Sequence, residues 1–340
     1  MMMNTNSKVR RIGVLTSGGD APGMNPVIRS VVRTCLHLGI ECVGIRRGFS
    51  GLLSGDICPL DYDSSSGLVR RGGTKLYTAR CEEFKTLEGQ KKGAATCKFL
   101  GLDGIVGIGG DGTFRGLQAL SHQGINVVGV PGTIDNDIAC SSYTVGFDTA
   151  CNTAIDAIDR LQDTMQSHER CSVVEVMGRH AGYLALNVAV ACGAVAVLIP
   201  EHEANFEEDI LEPIRRARLV GRTHFMIIVA EGAGSAYDVA KRINEALTVD
   251  TRVTVLGHVQ RGGSPSAQDR LVGTHMGYRA VQLLAEGQTN RVVCCKGDEY
   301  VDYDIEEALS MEKTVDEGTY TMVQHLTGTD ALSRMLGLRM

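Results

Sequence analysis

Residues 12–25 read Ile12-Gly13-Val14-Leu15-Thr16-Ser17-Gly18-Gly19-Asp20-Ala21-Pro22-Gly23-Met24-Asn25: a short apolar run, a glycine turn, then the opening of a helix. The helix, expected over residues 25–38, puts Ile28, Val31, Val32, Cys35 and Leu36 on one side and ends at Gly39, a residue suited to a left-handed cap. Strand, glycine turn and helix in this order aim backbone N–H groups and the positive end of a helix at one spot, which is a place for an anion. The stretch is not a P-loop, because no Gly-Lys-Ser/Thr follows, and it is not the dinucleotide G-x-G-x-x-G. Alone, it also reads as a plain tight turn.

The same alternation continues outward. Apolar runs at 42–45, 104–108, 127–130, 172–177, 195–199, 225–230 and 253–256 are expected strands. Most are apolar at consecutive positions, so both faces should be buried, as in a parallel sheet covered by helices. A second amphipathic helix is expected over 149–166, with Ala154, Ile158, Leu161 and Met165 inward. The expected fold is α/β: two doubly wound, Rossmann-like lobes with mainly parallel sheets, ligands at the carboxyl ends of strands, and a cleft between the lobes. Motif order places one lobe at 1–138, rejoined by about 257–305, a second at 139–256, and a C-terminal segment of unknown role at 306–340.

A chain of 340 residues with 43% hydrophobic content can fill one large or two medium cores. Its net charge of -6 argues against general nucleic-acid or anionic-membrane binding, so any phosphate site must be a local basic cluster. Eleven cysteines, including adjacent Cys294 and Cys295, form no C-x-x-C and no zinc spacing, and are expected as reduced thiols. The opening MMMNTNSKVRR lacks the apolar run of a signal peptide, and no apolar stretch is long enough to cross a bilayer. A cytoplasmic protein is expected.

Two further turns carry acids. Gly109-Gly110-Asp111-Gly112-Thr113 sets a carboxylate among bare backbone. Beside phosphates it would be repelled by about 4 kcal/mol at 4 Å and an effective dielectric near 20, unless a cation such as magnesium intervenes. NAD kinases and lipid kinases carry a similar run. Pro131-Gly132-Thr133-Ile134-Asp135-Asn136-Asp137 offers two carboxylates for general-base and orienting work at one hydroxyl, or else an Asx-rich turn.

In this order, and with TVGFDT at 144–149, Glu175-Val176-Met177-Gly178-Arg179, Pro200-Glu201 and LGHVQRGGSP at 256–265, these segments resemble the bacterial-type phosphofructokinase family from about Ile12 to about residue 308. The resemblance implies transfer of the γ-phosphoryl of ATP, with Mg2+, to the 1-hydroxyl of fructose 6-phosphate, as in glycolysis. It implies that Gly19, Arg80, Cys81, Gly110, Gly112 and Thr113 line the nucleotide site in the first lobe and that Asp111 holds the metal. Asp135 would be the base, with Thr133, Asp137 and Gly19 beside it, and Arg179 would meet the charge on the phosphoryl group. Arg170, Met177, Gly178, Glu231, Arg252, His258 and Arg261, with Thr133, Asp135 and Arg179, would hold the sugar phosphate. In the family Arg170 and Arg252 reach in from a neighbouring subunit, so a homo-oligomer, a homotetramer, is implied.

Relatives use ATP or pyrophosphate. Pyrophosphate users typically carry Asp where this chain has Gly112 and Lys where it has Gly132, so the two glycines favour ATP, although Met177 to Gly182 also occurs among pyrophosphate users. Arg29, Arg33 and Arg222 fit the family's effector pocket, whereas Gln162, Val195, Val220 and Thr223 depart from it. ADP and phosphoenolpyruvate are therefore expected to act weakly. A lipid or NAD kinase would not need the Arg170, Arg252, His258 and Arg261 set. A non-catalytic regulatory subunit would show decay at Asp111, Asp135, Asp137 or Arg179, and an NAD-dependent oxidoreductase would need the missing fingerprint.

Overall fold

The structure, a computed structural model, describes residues 9–326. Its strands in chain order are β1 (Arg11–Thr16), β2 (Glu41–Ile45), β3 (Ile57–Leu60), β4 (Gly104–Gly109), β5 (Val127–Pro131), β6 (Cys171–Val176), β7 (Ala196–Leu198), β8 (Phe225–Ala230), β9 (Thr251–Val255), β10 (Arg291–Lys296) and β11 (Glu299–Asp304). The eight expected strands are all present. The additional three are β3, β10 and β11, and β3 and β11 are the antiparallel edges of one sheet. Pro59 suits β3 because an edge strand pairs on one side only.

The chain divides into two compact units, residues 9–149 with 261–313 and residues 150–260 with 314–326. The first holds a seven-stranded sheet in the order β11-β10-β5-β4-β1-β2-β3, parallel from β10 to β2. All six residues of β4, in the middle, are buried, as consecutive apolar positions predict. The second holds a parallel sheet in the order β7-β8-β6-β9. Its core gathers Val173, Ile214, Phe225, Ile227 and Ile243.

The boundaries differ from the expected ones, each for a local reason. The first unit runs past 138 to Thr149 because the carboxylate of Asp269 accepts bonds from Gly146 N at 2.6 Å and Thr149 N at 2.9 Å, fixing TVGFDT to helix Ala267–Ala285. It resumes at 261 rather than 257, since Gln260 Oε1 accepts from Met177 N at 3.3 Å and stays with the second unit. It extends to 313 because Ile305 and Ala308 of helix Ile305–Ser310 belong to its core. The segment 306–340 is thus not one piece: helix Glu317–Leu326 packs on helix Tyr183–Cys192 and β7 in the second unit. Residues 327–340, like the first eight, lie outside the described residues.

The first expected helix is Met24–His37, with Ile28, Val31, Val32 and Cys35 buried. Leu36, expected inward, is 42% exposed, one position beyond the buried stripe. The second is Phe147–His168, in which Ala154, Ile158 and Met165 are buried and Leu161 is half-buried. All eleven cysteines are free thiols. Among the described residues no helix is long and apolar enough to cross a membrane.

Candidate active site

β1, β4 and β5 lie side by side and parallel, so their carboxyl ends open on one edge of the first unit's sheet. Backbone bonds draw the three turns together: Ser17 N donates to Ile108 O at 3.0 Å and Gly132 N to Gly109 O at 3.0 Å. The Thr113 hydroxyl donates to Ser17 O at 3.2 Å. A Cβ on Gly109 would collide with both the Ser17 carbonyl and that hydroxyl, so glycine is required for the approach. Gly110, in extended backbone, caps helix Asp111–His122 without a side-chain bond, which leaves N–H groups of the first turn directed at this edge.

Thr78, which sequence reasoning missed, donates its hydroxyl to Gly18 O at 2.6 Å, and the Thr16 hydroxyl donates to Tyr77 O at 2.9 Å. These bonds bring the loop bearing Arg80 and Cys81 beside the β1 turn. Arg80 is exposed, and Cys81 is half-buried against the core. Arg261 donates to Asp20 O at 3.1 Å, and a Cβ built on Gly19 would stand 2.6 Å from its guanidinium. Within the first unit Arg261 therefore lies against the glycine turn expected to take the nucleotide. A Cβ on Gly112 would meet nothing within 4 Å, whereas one on Gly132 would lie 3.0 Å from Ile108 and 3.4 Å from Met24.

The acids lie at the ends of neighbouring strands. The Asp111 carboxyl titrates above the usual range, first because its surroundings deprive it of solvent and next because the Asp137 charge is near, with Arg115 opposing. Asp135 is 6% exposed, and its N–H donates to the Thr133 hydroxyl at 3.2 Å. The Thr144 hydroxyl donates to Thr133 O at 2.7 Å, which gives the TVGFDT motif a structural part in holding this turn. Among the described residues no group of three or more His, Cys, Asp or Glu could enclose a metal. A carboxylate with a second acid nearby at an uncapped helix N-terminus nevertheless fits magnesium, which keeps waters and takes its remaining ligands from substrate phosphates.

In the second unit, the carboxyl end of β6 leads into Met177, Gly178 and Arg179. Gly178 has φ 142 and Arg179 sits in the left-handed region at φ 57. The turn is held because Arg179 N donates to Glu231 Oε1 at 2.8 Å. Gly232 passes so close to the Arg179 carbonyl that a side chain there would collide with it. Met177 is buried, whereas Arg179, Glu231 and His258 are exposed, the last in the short 3-10 helix Gly257–Arg261 after β9. Gln260, not expected at the site, is fully buried and joins that helix to the Met177 backbone.

Arg170 and Arg252 are elsewhere. Arg170 precedes β6 and Arg252 is the second residue of β9, at the amino ends of strands whose carboxyl ends carry Met177 and His258. At roughly 3.3 Å per residue the two ends of β6 are about 20 Å apart. Both arginines turn to Asp250, from Arg170 at 2.7 Å and Arg252 at 3.2 Å, and Arg170 chiefly holds the Asp250 carboxyl below its usual range. Within the second unit Met177, Arg179, Glu231 and His258 thus follow the carboxyl ends of strands, and these two arginines lie at the opposite ends. Of the expected effector residues, Arg33 stacks over Tyr62 at 3.4 Å, Gln162 donates to Cys192 O at 2.9 Å, and Val195 lies in the core. Arg222 and Thr223 line a cavity of about 360 Å³.

A family model described as Phosphofructokinase matches residues 11–284. The chain is 51% identical over 319 residues to the "ATP-dependent 6-phosphofructokinase" of Clostridium botulinum (strain Loch Maree / Type A3), covering 94% of this chain and 100% of that one. It is 53% identical over 319 residues to the protein of the same name from Bacillus thuringiensis (strain Al Hakam), with the same coverage of both. Among solved structures, phosphofructokinase from Saccharomyces cerevisiae superposes with a TM-score of 0.84 at 32% identity, over 97% of this chain and 48% of that one, so this chain spans about half the yeast chain. A pyrophosphate-dependent phosphofructokinase from Marinobacter aquaeolei shares the fold, with a TM-score of 0.82 at 20% identity, over 94% of this chain and 91% of that one.

Proposed function

The chain belongs to the phosphofructokinase family, and on that premise we propose that it is an ATP-dependent 6-phosphofructokinase, converting ATP and fructose 6-phosphate to ADP and fructose 1,6-bisphosphate. The observation that carries this reading is the first unit's strand-end corner, where backbone bonds tie the three glycine turns together beside exposed Asp111 and buried Asp135. Phosphoryl transfer asks a protein chiefly for alignment and charge neutralisation, and this corner offers both.

Asp135 accepts the proton of the 1-hydroxyl as that oxygen bonds to the γ-phosphorus and the bond from phosphorus to the bridging oxygen of ADP breaks. Asp137 and Thr133 help to place the hydroxyl, and Arg179 meets the charge on the phosphoryl group. The amides of the Gly18–Gly19 turn and of the Gly110, Gly112 and Thr113 backbone line the triphosphate, with Arg80 and Cys81 alongside. Asp111 would hold Mg2+, which when bound neutralises charge across the phosphates. Met177, Gly178, Glu231, His258 and Arg261 bind the sugar phosphate.

Arg170 and Arg252 serve a second copy of the chain. What supports this is their place at the amino ends of β6 and β9, about 20 Å from the other sugar-phosphate residues of the same unit. The enzyme is on this reading a homotetramer, and ADP and phosphoenolpyruvate act on it weakly. The deciding experiment gives purified protein fructose 6-phosphate with ATP or with pyrophosphate, and follows fructose 1,6-bisphosphate. Product with ATP and little with pyrophosphate is expected; the reverse order overturns the donor, and no product with either overturns the function.

A further inference from the structure

The turn between Thr133 and Ser141 carries Asp135 and Asp137 but belongs to no strand or helix. Within it Asn136 is buried at 8% exposure and sits in the left-handed region at φ 51. A side chain held in that region persists only where its surroundings over-determine it. One constraint comes from β10: Cys295 N donates to the Ser141 hydroxyl at 3.0 Å, and the Ser142 hydroxyl donates to Cys295 O at 2.8 Å. Asn136 Nδ2 donates to Ser142 O and its Oδ1 accepts from the Thr144 hydroxyl, both at 3.4 Å, and a further constraint comes from beyond the residues that match the family model. The Lys313 ammonium donates to Asn136 O at 2.6 Å and to Ser141 O at 3.0 Å.

We propose that Lys313 is a positioning residue for phosphoryl transfer, its ammonium gripping the carbonyls at both ends of the 136–141 segment so that the turn presents Asp135 and Asp137 to the reacting hydroxyl. Two diverging carbonyls suit a compact ammonium with three donors better than the planar fork of arginine. Burial alone would drive such a charge out. It brings the Lys313 pKa down to about 8, with the Asp137 charge opposing the fall. A half-buried ammonium bonded to two carbonyls of the segment beside Asp135 and Asp137 is placed to hold that segment's geometry. The chemistry needs such a grip because displacement of a reacting group by about 1 Å can cost on the order of a hundredfold in rate.

The inference rests on the proposed function, and the test separates the two. Wild type, Lys313→Met, Lys313→Gln and Lys313→Arg are assayed with fructose 6-phosphate and MgATP, and the thermal midpoint of each is measured. Lys313→Met should lose about tenfold to a hundredfold in kcat per folded site while KM for both substrates stays within about threefold. Lys313→Gln, which keeps two donors, should fall between Met and wild type, and Lys313→Arg should recover part of kcat. An active wild type with kcat of the Met variant within about twofold of it overturns the assignment. So does a loss explained wholly by a smaller folded fraction, or failure of both the Met and Gln variants to fold, since each makes Lys313 a stability residue only. An inactive wild type overturns the functional reading, and this inference with it.

Discussion

On the proposed mechanism, Asp135 is the side chain whose removal isolates the chemical step. Asn in its place keeps the shape and cannot take a proton, so Asp135→Asn should lower kcat by about 10² to 10⁴ while KM for both substrates changes little. Steady-state kinetics decide this; undiminished kcat would transfer the base role elsewhere. The roles proposed for Asp111 and Asp135 come from the order of the motifs and the family resemblance, since each acid-bearing turn alone also fits other readings. Thr78, Gln260 and Lys313 are not readable in that way. Each acts through a backbone contact, Lys313 through two, to residues 60 to 177 positions away, and no local spacing encodes such a partner.

Among the elements, seven of the eight expected strands are runs of consecutive apolar residues that are largely buried, a pattern that reflects coverage on both faces, whereas β9, an edge of the second sheet, buries only Thr251. The edge strands β3 and β11 escape because β3 contains a proline and β11, Glu299-Tyr300-Val301-Asp302-Tyr303-Asp304, mixes three acids among its apolar residues at a half-covered edge. Asp269, at the head of helix Ala267–Ala285, shows how a remote acid fixes a motif read as functional. It is fully buried, and besides Gly146 N and Thr149 N its carboxylate accepts from the Tyr143 hydroxyl at 2.6 Å. Burial pushes its pKa up and these bonds push it down, with burial the larger effect. Asp269→Ala leaves several donors buried without an acceptor and should cost about 3 kcal/mol or more, read as a lower denaturant midpoint at unchanged slope. A cost below about 1 kcal/mol would mean that water replaces the carboxylate.

For the whole molecule, the sequence indicates two lobes but misplaces their limits, because Asp269 and Gln260, each contacting a distant segment, decide which unit owns residues 139–149 and 257–260. The reach of Arg252 to a second copy, as proposed above, predicts complementation. Asp135→Asn and Arg252→Ala proteins, each nearly inactive alone, should regain activity when unfolded together and refolded as a 1:1 mixture. Random assortment pairs an intact acid with a partner's intact arginine in about a quarter of the sites, so activity should approach that fraction of wild type. Absence of recovery, with hybrids verified by mass, would return Arg252 to its own chain.

The interrupted first unit also has a history on the ribosome. β5 is flanked by β4 and β10, yet its second neighbour is translated long after it. At 5–20 residues per second the wait is about ten to thirty seconds, during which the strand leading into Asp135 has an unpaired edge. A nascent chain stalled before residue 291 should therefore depend on chaperones and be open to intermolecular strand pairing, a hazard that ends when β10 is added beside β5.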